Sequence, residues 1–136
     1  ALPICEEDYY QWVEDMKNFD PDSLELDAVA QEGKELYEAK SCMNCHAIGQ
    51  PAEYIPNNVQ IRQDLTAFGS RSRFAGILLP TKENLVDWLL DPESIKPDNK
   101  MTGMYPELTE DEANKIAEYL MQLKPSSITP ETVGAQ

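Results

Sequence analysis

The sequence is poor in the residues that build most metal and thiol chemistry, with one histidine and three cysteines in 136 residues. A structural zinc site wants four ligands, and the chain could supply them only by drawing Cys5 in beside Cys42, Cys45 and His46. A thiol redox pair normally sits beside a strand in an alternating strand-helix pattern, and that pattern is missing too. Long apolar runs are also absent. The longest, Ala75 to Leu79 with Gly76 inside it, falls far short of the roughly 20 residues a membrane span requires. Basic residues are scarce: 11 lysines and arginines face 25 acids, giving a net charge of -14. Such acidity argues against nucleic acid or an anionic membrane surface as a partner and favours a basic one. The excess is uneven, since residues 1–61 hold 13 acids against Lys17, Lys34 and Lys40.

What remains is a soluble composition, 41% hydrophobic and 26% charged, long enough for one domain with a real core. The chain opens at Ala1 without a secretory leader pattern, which points to a processed protein or an excised fragment. Cys5 lies in an ordinary Leu-Pro-Ile-Cys context and receives no role.

The densest chemistry is Cys42-Met43-Asn44-Cys45-His46, which reads as a c-type haem attachment site. Two thiols three residues apart on one turn can add to the two vinyl groups along one haem edge. The adjacent histidine then reaches the iron from one face. A lone histidine elsewhere would more often be a core residue; directly after Cys45 that preference reverses. Because His46 is the sole histidine, the second axial position falls to methionine, to another weak donor, or stays open. Met43 lies inside the motif, and Met16 and Met121 sit on helical stretches suited to packing. Met101 and Met104 lie in a loop, and local sequence leaves the choice between them open.

Helical periodicity organises the rest. Tyr9, Trp12, Val13 and Met16 share one face behind Glu6, Glu7 and Asp8, predicting a short amphipathic helix. An acidic stretch from Asn18 to Asp27 reads as a solvated linker. A second stripe runs from Ala28 to Lys40 and carries Gly33. Proline and asparagine turns break the pattern from Gly49 to Phe68, with a short β-hairpin expected near residues 57-63. Thr81 caps a helix bearing Leu85, Val86, Trp88, Leu89 and Leu90, which Asp91-Pro92 ends. Thr109-Glu110-Asp111-Glu112 is a capping box for the last helix, whose buried face is Ala113, Ile116, Ala117 and Leu120.

In order, a Gly-and-aromatic helix, CxxCH, a proline-bracketed methionine loop and a capped C-terminal helix resemble a class I cytochrome c from about Ala28 to Lys124. More narrowly, Asp64-Leu65-Thr66-Ala67-Phe68-Gly69-Ser70-Arg71, Ala75-Gly76-Ile77-Leu78, Glu83-Asn84-Leu85, Trp88-Leu89, Asp91-Pro92 and Lys96-Pro97 are similar to the cytochrome c domain fused to subunit II of bacterial cytochrome c oxidases. Glu7 to Glu14 resembles the end of the copper domain that precedes it there.

The resemblance implies an all-α class I cytochrome c fold, four to five helices around one covalently bound haem c, with the first and last helices of the domain crossing near Gly33. It divides the chain into 1-27, an N-terminal helix and acidic linker closing a copper domain; 28-124, the cytochrome domain; and 125-136, a flexible tail. It places the axial sulfur at Met101 opposite His46. Arg71 becomes a candidate to neutralise a haem propionate, against a solvated loop charge. Trp88 becomes a candidate to donate its indole proton nearby, against plain packing. The family usually has Gly-Pro before Asp-Leu, its proline carbonyl taking the proton of the ligand histidine. Arg62-Gln63 stands there in this chain, so the histidine's partner is left open.

The implied function is one-electron transfer from a respiratory donor protein to the copper centre of a terminal oxidase, with no catalysis by the domain alone. The implied partners are that donor, the copper domain and the other oxidase subunits, on the extracytoplasmic side of the membrane and attached through the parent subunit. A free-standing soluble electron carrier is the nearest alternative. A haem peroxidase or gas sensor is a further one, with Glu107 or Glu110 as the distal acid.

Overall fold

The computed structural model describes residues 5–49 and 63–128, and among these the regular structure is helical. Five α-helices follow in order: α1 Glu6–Lys17, α2 Ala28–Ala39, α3 Lys82–Leu90, α4 Pro92–Ile95 and α5 Glu110–Gln122. Short 3₁₀ turns occupy Pro21–Ser23, Cys42–Asn44 and Phe68–Ser70. The all-α expectation therefore holds, with one isolated bridge between Phe74 and Leu78. The hairpin expected near residues 57-63 falls, apart from Gln63, outside the described residues.

The three helices that form the core, α2, α3 and α5, each begin on a side-chain cap, whereas α1 has none. Asp27 accepts from the Ala30 amide at 2.9 Å, Thr81 from Asn84 at 3.2 Å, and Thr109 from Glu112 at 3.2 Å. The Glu112 carboxylate returns a bond to the Thr109 amide at 2.9 Å, completing the capping box. Two of the four amides that open every helix without an internal partner are thereby satisfied at α5.

The core is the crossing of α2 over α5. A β-carbon added at Gly33 would fall on the backbone carbonyl of Lys115, so the glycine lets the two backbones approach where alanine could not. Beside it the Tyr37 and Tyr119 rings meet edge to face, 5.9 Å between centroids. Ala30, Ala113, Ile116, Ala117 and Leu123 are fully buried, and α3 closes the cluster with Leu85, Val86 and Leu89. Burial of each large aliphatic side chain stabilises by roughly 1.5–3 kcal/mol, which outweighs the roughly 1 kcal/mol helix penalty at Gly33. Lys115 spans the crossing outside, paired with Glu32 at 2.9 Å and Asp111 at 2.7 Å.

Two segments differ from a reading by composition. The acidic linker is not wholly solvated, because Phe19, Leu24 and Leu26 pack against the core while Asp20 caps the Pro21–Ser23 turn. Charge dominates the linker's composition, yet three apolar residues at the right places suffice to tether it. Beyond α5, Ser126 is 7% exposed and its hydroxyl bonds the Asp15 carboxylate of α1. That bond holds the Asp15 carboxyl below its ordinary range. A third feature, α4, follows α3 at once: Asp91 caps it on the Ser94 amide at 3.1 Å, and Pro92 starts it from the first helical position, where no amide is needed.

Candidate haem site

The end of α2 is made by Ser41, whose φ of 64° lies in the left-handed region. That turn folds Cys42–Asn44 back on itself, with the Cys45 and His46 amides both donating to the Cys42 carbonyl at 3.1 and 3.0 Å. Tyr37, one turn back in α2, donates its hydroxyl to the His46 carbonyl at 2.8 Å. Burial, ahead of nearby negative groups, raises this phenol far above its ordinary value. It is therefore a neutral, permanent donor.

His46 Nδ1 lies 2.8 Å from the Gln63 carbonyl. A carbonyl only accepts, so Nδ1 carries the proton and Nε2 keeps its lone pair for a metal. The Gln63 segment is itself held: Leu65 donates to the Ala47 carbonyl at 2.8 Å, Gly49 to the Thr66 hydroxyl at 2.8 Å, and Thr66 to Asp64 at 2.7 Å. The unusual residue at this position keeps the backbone carbonyl available, and neighbouring bonds supply the fixity that proline would have lent.

Cys42, Cys45, His46, Arg71, Trp88 and Met101 all line one cavity of about 510 Å³, within the usual range for cofactor sites. Leu65, Phe68, Phe74, Leu89 and Leu120 add apolar wall. Trp88 packs edge-on to Phe74, 6.5 Å between centroids, so its packing and cavity-facing roles coexist. Arg71 stacks over Phe68 at 5.9 Å and donates to the Gln63 side-chain oxygen at 3.1 Å and to the Asp64 carbonyl. Burial lowers its pKa, with Asp64 opposing. Met101 is partly buried against the core, whereas Met104, which also reaches the cavity, is 64% exposed.

The donor set fits a haem. Two thiols and an imidazole with a free Nε2 face an apolar chamber that also presents a thioether and a guanidinium. It fits the alternatives poorly. Among the described residues no group of three or more His, Cys, Asp or Glu is placed to hold a metal ion, and Cys5 is exposed. Burial pushes the Cys42 thiol up, the opposite of what a thiolate nucleophile needs. Neither Glu107 nor Glu110 is among the described lining residues.

Sequence reasoning passed over three contributors: Tyr37 as the holder of the His46 carbonyl, Tyr105, whose hydroxyl donates to the Leu89 carbonyl at 2.7 Å beside the cavity, and Asn99. Asn99 carried a signal, because asparagine two residues before a loop position is a frequent turn former. The two tyrosines carried none, since their partners are backbone atoms distant in sequence.

The cytochrome c family model matches residues 30–124. Cytochrome c oxidase subunit 2 of Bacillus subtilis (strain 168) is 41% identical over 120 residues, 88% of this chain and 33% of that protein. The same subunit of Bacillus sp. (strain PS3) is 41% identical over 122 residues, 90% of this chain and 33% of its own length. That of Alkalihalophilus pseudofirmus (strain ATCC BAA-2126 / JCM 17055 / OF4) is 33% identical over 123 residues, again 90% and 33%. The chain thus spans about a third of the length of the curated relatives it matches.

Proposed function

Because this chain belongs to the cytochrome c family, a family defined by covalently bound haem c, we propose that it is a one-electron transfer domain. A single haem would be held through Cys42 and Cys45, with His46 and Met101 the side chains available to its iron. The observation that carries this reading is the convergence of all four side chains on one apolar cavity, with His46 already fixed in the tautomer that frees Nε2. Haem held this way supplies reversible one-electron chemistry at a potential raised by Met/His ligation and burial.

The protein's own part is positional. Gln63 and Tyr37 hold His46 by ring and by backbone, so little moves when charge changes. Leu65, Phe68, Phe74, Leu89 and Leu120 give the chamber an apolar wall. Arg71 and Trp88 both line the chamber, and would offer a guanidinium and an indole N–H to a haem propionate.

Similarity to oxidase subunits supports the finer reading. The chain is the haem domain of such a subunit, 28-124, preceded by the end of a copper domain in 1-27 and followed by a tail in 125-136. It receives electrons from a respiratory donor and passes them to the copper centre, on the extracytoplasmic face and attached through its parent. No helix of the described residues is long and apolar enough to cross a membrane.

Mass spectrometry of the unfolded chain should show haem added to the Cys42–Cys45 segment, and the folded protein should be low-spin and refuse carbon monoxide. A chain without the added mass, or a high-spin iron that binds the gas, overturns the reading.

A further inference from the structure

The loop that brings Met101 to the cavity contains no helix or strand of its own, and its side-chain hydrogen bonds converge on Asn99 and on Glu93 of α4. Asn99 Oδ1 accepts from the Met101 amide at 2.9 Å and from the Thr102 amide at 3.0 Å. Its amide nitrogen lies 2.9 Å from the Lys96 carbonyl, 2.7 Å from the Thr102 hydroxyl and 3.3 Å from Glu93 Oε2. Glu93, on α4, braces the same loop by accepting from the Thr102 hydroxyl at 3.1 Å and from the Asp98 amide at 3.1 Å. One asparagine therefore joins both ends of the segment, and one carboxylate ties it to a helix.

We propose that Asn99, braced by Glu93, is a positioning residue that holds the Met101 thioether on the iron. The inference rests on the assignment of Met101 as ligand made above. A thioether is a weak donor, so its bond to iron competes with external ligands in proportion to how often the loop opens. Asn99 shifts that equilibrium without touching the iron, because its two acceptor bonds to backbone amides favour the closed arrangement seen in the structure. Capping of these amides also explains why the segment reads as structureless by periodicity yet is ordered. Asp98 supports this geometry from a left-handed φ of 61°, which sets the turn that Asn99 then closes.

The test is imidazole binding to the ferric holo-protein, followed through loss of the methionine charge-transfer band. Loss of two hydrogen bonds specific to the closed loop should raise the affinity of Asn99→Ala for imidazole about tenfold. Asn99→Asp, which keeps the oxygen that accepts from the Met101 and Thr102 amides but sets a second carboxylate against Glu93 and the Lys96 carbonyl, should bind imidazole more weakly than Asn99→Ala and more tightly than the unchanged protein. A merely structural role predicts a lower melting temperature with unchanged imidazole affinity. An unchanged protein that refuses imidazole together with an Asn99→Ala that refuses it equally overturns this inference alone. An unchanged protein as open as Met101→Ala overturns the Met101 assignment and this inference with it. Should Asn99→Ala not accumulate as folded holo-protein, Asn99→Ser carries the same two outcomes.

Discussion

The two sides of the cavity are built differently. On the histidine side, His46 hangs from a buried phenol and a backbone carbonyl, behind the α2–α5 crossing where Gly33 meets Lys115. On the methionine side, a stretch without regular structure is held by polar side chains, Asn99 partly buried and Thr102 and Glu93 exposed. The first is tied to the packed core through the buried Tyr37. The second depends on side-chain hydrogen bonds, each worth only about 1 kcal/mol net, in a stretch with no helix or strand of its own, and is expected to open more readily. Under the function proposed above, a protein that changes charge without changing shape needs one rigid ligand. The other can be the weaker bond.

The comparison is broken most severely at the crossing. Gly33→Ala gains about 1 kcal/mol of helix propensity but drives a methyl group into the Lys115 carbonyl. Net destabilisation of about 2–3 kcal/mol is expected, read as a lowered denaturation midpoint. Unchanged stability would show that α2 and α5 slide apart at little cost.

A smaller effect on folding, though a larger one on the iron, is expected at the methionine loop. Met101→Ala should lose the low-spin methionine signature and lower the reduction potential, while costing stability only about 1–2 kcal/mol because the side chain is partly buried. Met104→Ala, at a residue 64% exposed, should leave spectrum and potential as they were. Spectra and redox titration of the pair decide it, and a reversed outcome moves the sulfur by three residues.

The smallest effect separates the two sides by pH. Burial raises the Tyr37 phenol far above its ordinary range and pushes Tyr119 up to about 12. Both have folded pKa values above the unfolded value of about 10, so their contribution is whole below pH ~10 and drains as pH rises through the folded values. Stability should therefore fall on the alkaline side of pH ~10. Tyr37→Phe should flatten that fall, while costing about 1 kcal/mol at neutral pH for the donor lost to the His46 carbonyl. A fall that is as steep in Tyr37→Phe would place the alkaline sensitivity elsewhere.

Much of this was legible in the residues because the governing interactions are local. The caps at Thr81 and Thr109 act within one turn, the stripe of Ala113, Ile116, Ala117 and Leu120 follows helical period, and CxxCH is chemistry written at fixed spacing. Other features escaped. The α4 turn is only four residues long, too short for a period to declare itself. The linker residues Phe19, Leu24 and Leu26 stand among acids, with only Leu24 and Leu26 sharing a two-residue spacing too brief to mark a strand, so nothing local announced that they pack. Choosing between Met101 and Met104 was likewise beyond local sequence, since both stand in the same loop.

The sequence by itself determined the helical class, the family and the pair of thiols with their histidine, all of which depend on residue identity within a few positions. Only the tertiary structure decided that the Gln63 carbonyl faces His46 Nδ1, that Tyr37 reaches the His46 carbonyl, and that Asn99 and Glu93 hold the methionine loop. The physical reason is that a side-chain or backbone atom finds a partner 17 residues away only after helix packing has set the geometry of both, and no periodicity in the chain encodes that distance.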